Sequence, residues 1–313
     1  MKDVKDSFPV QLAEFTIAKG IEDEPAFAWW VSHTIKRRSK IISAIKSRMV
    51  KKTHKYGVEL PSDVGEAYKL DEINKNTLWR DAIRKEMTNV MVAFDILGED
   101  ETLPNGLSSL KVHLIFDVKM DMTRKARLVA DGHLTSDPGV THTYASVVSR
   151  ETVRIVFTYA SLNGLDILAA DILNAYLTAP TSDNYYIECG PEFLSELIGR
   201  KAIVKRALYG TRTACKDFRM HLRDCMEHLK YESCKSDPDL WMRDGVKGDG
   251  TRYYEYILLY VDDVLCVSEF PKEALKQLNH YFPIKPGSIE RSKLYLGTKI
   301  SQVTLPNGVV SWQ

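Results

Sequence analysis

The apolar runs Tyr256-Ile257-Leu258-Leu259-Tyr260 and Val264-Leu265-Cys266-Val267, interrupted by the pair Asp262-Asp263, constrain this chain more than any other stretch. Two β-prone segments joined by a short acidic turn predict a β-hairpin with a rigid tip. Carboxylates in such surroundings are costly unless a cation balances them or the turn is solvated. Tyr260-Val261-Asp262-Asp263 therefore reads either as a set of metal ligands or as exposed turn residues of the Asx kind.

The 313 residues, 44% hydrophobic and 27% charged, suffice for a sizeable core and exclude a disordered chain. The length fits two domains or one domain with a long extension. A formal net charge of only +1 hides an uneven distribution, because nine Lys or Arg and no Asp or Glu lie between Lys36 and Lys55. Ile35, Ile41, Ile42, Ile45 and Met49 recur there at roughly helical spacing, so the segment reads as a solvated helix face or a linker. The functional alternative makes Lys36, Arg37, Arg38 and Lys40 nucleic-acid contacts through phosphate, or a nuclear-import signal. The five cysteines form no CxxC pair and none of the eight histidines falls into zinc spacing with them, which argues against a disulfide framework or zinc site. The first residues lack an apolar signal core, and no stretch reaches the roughly 20 apolar residues of a membrane span. A soluble intracellular chain in a reducing compartment is the expectation.

Along the chain, residues 1 to 75 read as a leader with a Pro-containing connector near Gly57 to Pro61. Leu78, Ala82, Ile83, Met87, Val90 and Met91 follow a helical period, with Asn76 or Thr77 available as N-cap. Lys111 to Val118 and Ala126 to Ala130 predict a hairpin. Ser149 is placed to cap a helix that Asn163-Gly164 ends, leading into an apolar strand, Leu165 to Ile172, that carries Asp171. Short strands at Tyr185 to Glu188 and Ala202 to Lys205, a helix from Cys215 to Leu229, and a turn at Asp244 to Gly250 precede the acidic hairpin. A helix over Lys272 to Phe282 follows, and Tyr295 to Val303 is expected to pair with Val309 to Trp312. This order predicts an α+β layer with helices on one face of an antiparallel sheet.

Asp171 ends one apolar strand and Asp262 occupies a hairpin tip, so pairing of their strands would bring like charges together. Two hard cations about 3.5–4 Å apart would remove that conflict and suit phosphoryl or nucleotidyl transfer. Asp171 has a bland alternative as a turn cap.

Several spaced blocks then occur in one order: Trp79-Arg80-Asp81-Ala82-Ile83-Arg84-Lys85-Glu86-Met87, Lys125-Ala126-Arg127-Leu128-Val129-Ala130, Tyr144-Ala145-Ser146-Val147-Val148-Ser149-Arg150, Asp171-Ile172-Leu173-Asn174-Ala175-Tyr176-Leu177, Ala207-Leu208-Tyr209-Gly210, Tyr260-Val261-Asp262-Asp263 and Leu296-Gly297. Over roughly residues 75 to 313 the chain resembles the reverse transcriptase region of Ty1/copia-type retrotransposon polyproteins. The resemblance implies a right-hand polymerase, with fingers and palm over 76–313 and an antiparallel palm sheet backed by helices. It implies two Mg²⁺ ions, with Mn²⁺ as a substitute, on Asp171, Asp262 and Asp263 as catalytic acids, with the Ile172 carbonyl as an extra ligand. Lys125 and Arg127 would meet the triphosphate of a dNTP, and Asn174 and Ala175 would offer it backbone N–H groups. Tyr176 would lie under the sugar, and Tyr260 and Val261 would touch substrate. Lys125 and Arg127 also fit an ordinary solvated hairpin, and Tyr176 a core tyrosine. An RNA template and a DNA primer strand are the implied partners, with no membrane and a cytoplasmic particle, or the nucleus, as the setting.

Two departures bear on this reading. The block that commonly reads Leu-Tyr-Gly-Leu-Lys-Gln in the family is Leu208-Tyr209-Gly210-Thr211-Arg212-Thr213 here, which leaves the Thr213 hydroxyl to stand in for the Gln, and Phe218 replaces a usual Trp. The sequence ends at Gln313, soon after the expected last palm hairpin, so a fragment with the thumb absent, weak or inactive as a polymerase, is expected. The alternative function is a non-enzymatic nucleic-acid-binding relic of a mobile element.

Overall fold

The computed structural model describes residues 54–135, 146–291, 294, 295, 298–306, 308 and 310–312. Lys36, Arg37, Arg38 and Lys40 lie outside them, as do Tyr144-Ala145 and Leu296-Gly297. The chain divides into two compact units, Met1–Pro61 with Met120–Met122, and Ser62–Lys119 with Thr123–Gln313. In the described part of the first, His54–Lys55 pairs antiparallel with Val58–Glu59 around Tyr56 and Gly57, which both take positive φ (52° and 77°). A two-residue hairpin turn asks this of both central residues.

The second unit opens with the helix Val64–Ile73, whose N-cap Asp63 accepts the Glu66 N–H. The sequence draws its boundary at residue 75, whereas packing draws it at Pro61/Ser62. The reason lies in Asp71, only 2% exposed, whose two carboxylate oxygens accept the N–H groups of Trp79 (3.0 Å) and Arg80 (2.8 Å). Asp71 thus caps the following helix, Leu78–Val90, and ties the two together. Thr77, the N-cap by position, makes no side-chain cap bond, while Asn76 Oδ1 takes the Leu78 N–H at 3.2 Å. The stripe Trp79, Ile83, Met87 and Val90 is buried, and the helix packs on the basic hairpin formed by Val112–Val118 and Arg124–Ala130. Trp79 meets Phe116 of that hairpin edge-on, with ring centroids 5.6 Å apart.

Ser149 caps the helix Arg150–Asn163 by accepting the Thr152 N–H, and Gly164 ends it at φ 62°, a left-handed conformation that glycine adopts without a Cβ penalty. The chain then enters the strand Asp166–Asp171, the edge of a five-stranded antiparallel sheet. Its order is Glu232–Ser233, Leu240–Val246, Arg252–Tyr260, Asp263–Ser268, Asp166–Asp171. The expected turn at Asp244 to Gly250 starts later, because Asp244, Gly245 and Val246 pair with Tyr254, Tyr253 and Arg252.

Helices cover both faces of this sheet, not one. Leu168, Ala170, Leu259, Val264 and Cys266 pack with Phe218, Leu222 and Met226 of the helix Ala214–His228 and Leu275 and Leu278 of the helix Pro271–Tyr281. Ile167, Leu258, Leu265 and Val267 pack with Val156 and Ala160 of Arg150–Asn163 and with Tyr295 and Ile300. Double coverage explains why these strands read as continuous apolar runs without alternation. Ile257, Leu258, Val264, Leu265 and Val267 are fully buried, each aliphatic side chain stabilising the fold by about 1.5–3 kcal/mol.

A second sheet, ordered Phe94–Ile96, Lys201–Val204, Tyr185–Glu188, Ser108–Ser109, contains one parallel pair between its last two strands. Near the C-terminus the expected long pairing is divided: Leu294–Tyr295 pairs with Thr298–Lys299, and Gln302–Thr304 with Val310–Trp312. Among the described residues no helix is long and apolar enough to cross a membrane.

The shared cap makes a measurable claim. Asp71→Ala leaves two N–H groups of the next helix without their acceptor, and is expected to lower unfolding free energy by about 2 kcal/mol. A urea titration reads this as a lower midpoint, with Asp71→Asn in between; an unchanged midpoint would show that the two helices do not depend on the cap.

Candidate functional site

Antiparallel register sets the acids. Asp263 lies directly opposite Asp171 in the ladder, and Tyr260 lies opposite Asp263 on the other side. Residues opposed in this way project from the same face, so Asp263, and not Asp262, is the immediate neighbour of Asp171. Beyond the ladder, the Ile172 N–H donates to the Asp262 carbonyl at 2.8 Å, which ties the hairpin tip to the end of the neighbouring strand. Val261 takes φ 58°, a left-handed conformation that costs a residue with a Cβ roughly 1–2 kcal/mol. This reversal leaves Asp262 exposed while Asp171 and Asp263 stay half-buried.

A loop from Pro283 to Ser288 braces the Asp171 end. The Leu173 N–H donates to the Pro283 carbonyl (2.7 Å), the Lys285 N–H to the Asp171 carbonyl (2.9 Å), and the Asp171 N–H to Ser288 Oγ (3.0 Å). These bonds bracket Ile172. Lys285 Nζ also reaches Asp171 Oδ2 at 3.2 Å, a half-exposed ion pair contributing at most about 1 kcal/mol. One ammonium does not balance three carboxylates. Burial first, then the charges of Asp262 and Asp171 and a side-chain hydrogen bond with Asp171, push the Asp263 carboxyl up to about 6, against a smaller opposing effect of Lys285.

Such a donor set fits a hard divalent cation. Among the described residues no three His, Cys, Asp or Glu side chains form a ready-made metal cage. What the chain offers is an open carboxylate edge, and Mg²⁺ is commonly bound through one or two carboxylates with water and phosphate completing its shell.

Asp171, Ile172, Asn174 and Asp262 line a cavity of about 280 Å³, and Lys125 and Arg127 of the basic hairpin line it as well. Lys125 and Arg127 stand two apart on one strand and so share a face. Burial, then the Arg127 guanidinium, pushes the Lys125 ammonium down. Arg127 lies 4.3 Å from the centroid of the Tyr209 ring, which holds it over another lining residue. Asn174 (φ 51°) starts the short helix Ala175–Thr178, and Ala175 is buried.

Other expected site residues do not line this cavity. Asp263 does not line this cavity, and Tyr176 lines a different one. The Tyr176 ring packs edge-on against Tyr209 (4.7 Å) and Phe218 (5.8 Å), and its hydroxyl pairs with Cys215 Sγ at 3.1 Å. Tyr260 is exposed at the hairpin end. Thr213, expected to lend a hydroxyl to substrate, is 1% exposed and donates to Asp183 Oδ2 at 2.6 Å, so its hydroxyl is committed within the fold. Arg212 instead holds the Gly132 carbonyl at 3.0 Å and the His133 carbonyl at 3.3 Å, next to the end of the basic hairpin. The backbones meet closely there: a Cβ on Gly210 (φ 93°) would fall 2.1 Å from the Ala130 carbonyl oxygen.

Three lining residues escaped the sequence reading as site residues. Glu86 accepts the Leu128 N–H at 2.9 Å and faces Lys125 and Arg127, with burial pushing its carboxyl up. Its signal was present, because position 86 falls on the apolar stripe of 79, 83, 87 and 90. Tyr209 stood in a quoted block without a role, and Lys285 carries no local signal, since the pairing that recruits it spans 114 positions.

The raised Asp263 carboxyl has a pH consequence. A folded-state value above the unfolded one means that the native state binds the extra proton between about pH 4 and pH 6, so stability falls as pH rises through that window. Asp263→Asn is therefore expected to stabilise the metal-free protein above pH 6, by no more than about 1 kcal/mol given solvent screening, with the gain gone below pH 4. Thermal melts of both proteins from pH 3.5 to pH 8 check this; parallel curves would remove the proposed crowding of charge.

Comparison with known proteins adds a family model described as reverse transcriptase (RNA-dependent DNA polymerase), which matches residues 101–309. The chain is 26% identical over 246 residues, 75% of its length, to the retrovirus-related Pol polyprotein from transposon RE1 of Arabidopsis thaliana. It is 28% identical over 177 residues, 53% of its length, to the corresponding polyprotein from transposon TNT 1-94 of Nicotiana tabacum, and 28% over 193 residues, 59% of its length, to that from transposon RE2 of Arabidopsis thaliana. The matched stretches span only 16%, 13% and 12% of those polyproteins.

Proposed function

Because the chain belongs to the reverse transcriptase (RNA-dependent DNA polymerase) family of copia-type transposon polyproteins, we propose that the cavity between the acidic hairpin and the basic hairpin is a nucleotidyl-transfer site. In this reading it extends a DNA primer on an RNA template, using dNTP. The observation that carries it is the placement of Asp171 opposite Asp263, with Asp262 at the tip, beside a cavity that Lys125 and Arg127 also line.

The five-stranded sheet and its helices would be the palm, and the basic hairpin with the second sheet the fingers. Asp171, Asp262 and Asp263, with the Ile172 carbonyl, would hold two Mg²⁺ ions or Mn²⁺ in their place. When bound, these ions supply Lewis acidity and counter-charge at the attacking and leaving oxygens. The chain's own groups do the rest. Lys125 and Arg127 neutralise the triphosphate, and the proton affinity that Lys125 loses by burial returns when an anion enters. Arg127, stacked on Tyr209, presents its guanidinium in a set orientation, which lowers the ordering cost of binding. The backbone at Asn174 and Ala175 borders the phosphates. Tyr176, locked by Tyr209, Phe218 and Cys215, is the ring we assign beneath the sugar, and Tyr260 and Val261 the hairpin surface that meets the primer end. Synthesis inside a cytoplasmic particle is the setting we assign.

Primer extension on an RNA template with Mg²⁺ tests this. The unsubstituted chain is expected to incorporate dNTP weakly, and Asp171→Asn or Asp262→Asn to lower incorporation by about 10²-fold or more. Arg127→Ala, with the acids intact, is expected to raise the KM for dNTP about tenfold, the equivalent of one charge-assisted hydrogen bond. Equal incorporation by the unsubstituted chain and Asp262→Asn would dismiss the assignment.

A further inference from the structure

The helix Leu78–Val90 carries two stripes. Trp79, Ile83, Met87 and Val90 are buried, while Ala82, Lys85, Glu86 and Asn89 line the cavity shared by the acidic and basic hairpins. Spacings of three and four place those lining residues together on one side of the helix. The carboxylate of Glu86 thereby reaches the cavity from a different element than the cations Lys125 and Arg127.

The charge on Glu86 has no structural requirement behind it. Its hydrogen bond from the Leu128 N–H, at 2.9 Å, needs an acceptor only, which a neutral glutamine would also supply. The side chain is half-buried, and burial pushes its carboxyl up, so ionisation is costly there. What offsets that cost, besides the Leu128 bond, is the charge of Arg127 and of Lys125. The effect is mutual. Arg127 and Lys119 disfavour the Lys125 ammonium, while Glu86 and Asp117 favour it. Asp117 stands opposite Lys125 in the hairpin ladder and does not line the cavity, so Glu86 is the counter-charge that the helix brings to the cavity side.

A carboxylate that attracts the basic pair also repels any anion the pair attracts. Resting on the reading of this cavity as a triphosphate site, we propose that Glu86 is a built-in competitor for the phosphate chain: its charge offsets Lys125 and Arg127 when no phosphate is bound, and it weakens their hold on phosphate so that pyrophosphate leaves after nucleotidyl transfer. The same two cations have to accept the triphosphate of a dNTP and release pyrophosphate. A dNTP has further contacts through its base and sugar, whereas pyrophosphate is held by charge alone. The repulsion from Glu86 therefore falls hardest on the product, whose release is a step that limits turnover in many enzymes.

The test needs neither divalent cation nor polymerase activity. Inorganic tripolyphosphate and inorganic pyrophosphate are titrated calorimetrically into the full chain at neutral pH and low ionic strength. Glu86→Gln, which keeps an acceptor for the Leu128 N–H and deletes the charge, is expected to tighten both about tenfold. Adding Arg127→Ala to that variant is expected to abolish the gain. A second measurement reads the charge directly: in reductively methylated protein, the ¹³C resonance of Lys125, assigned with Lys125→Arg, is expected to titrate at a lower pH in Glu86→Gln than in the unsubstituted chain. A purely structural Glu86 would move neither quantity. Equal or weaker affinity in Glu86→Gln, a gain that survives Arg127→Ala, or an unmoved Lys125 titration would each overturn the proposal while leaving the nucleotidyl-transfer reading intact. Absence of Arg127-dependent binding in every form would overturn both.

Discussion

One strand pairing organises this protein: Asp263–Ser268 against Asp166–Asp171, in the register that sets Asp263 across from Asp171. A shift by one residue would turn Val264 and Cys266, now against the helices Ala214–His228 and Pro271–Tyr281, toward the opposite face. Both faces of the sheet are dry, so every alternative register would require repacking two cores at once. The acids are held at the strand ends by a pairing that the apolar residues behind them make stiff. That stiffness is what lets like charges be kept together at a cost visible in the raised Asp263 carboxyl.

Behind the acids a buried polar cluster secures the far part of the same hairpin. Glu255 accepts from Arg243 Nη2 at 2.7 Å and from Ser268 Oγ at 2.6 Å, and takes the Tyr231 hydroxyl as well. A buried carboxylate is tolerable when its oxygens are satisfied and a cation is adjacent. The hairpin thus has two charged regions of opposite character: one saturated from within the chain, and one where Lys285 pairs with Asp171 while Asp263 is crowded by the charges of Asp262 and Asp171. The second kind is where a ligand from outside can contribute.

Much of the local structure was legible in the sequence. Period 3.6 with Ser149 and Gly164 at its ends marked Arg150–Asn163, and two apolar runs around an acidic turn marked the hairpin, because caps and turns act over a few residues. The misreadings share a cause. Asp71 caps a helix eight positions on, so a boundary set by motif content at residue 75 cut through a packed pair. Helices were expected on one face, since nothing local says that the helix from 150 to 163 and those from 214 to 228 and 271 to 281 take opposite sides of the sheet. Thr213 looked available for substrate until its partner Asp183, 30 positions away, took the hydroxyl.

By itself, then, the sequence determined the family and the order of the elements, since these depend on residue type, spacing and short-range caps that act within a turn or two. Only the tertiary structure decided which acid faces Asp171, and that Lys285, Glu86 and Tyr209 line one cavity with Asp171 and Asp262. The physical reason is that these outcomes rest on contacts across long stretches of chain, where register, burial and the competition for hydrogen-bond partners are settled by packing and carry no local pattern.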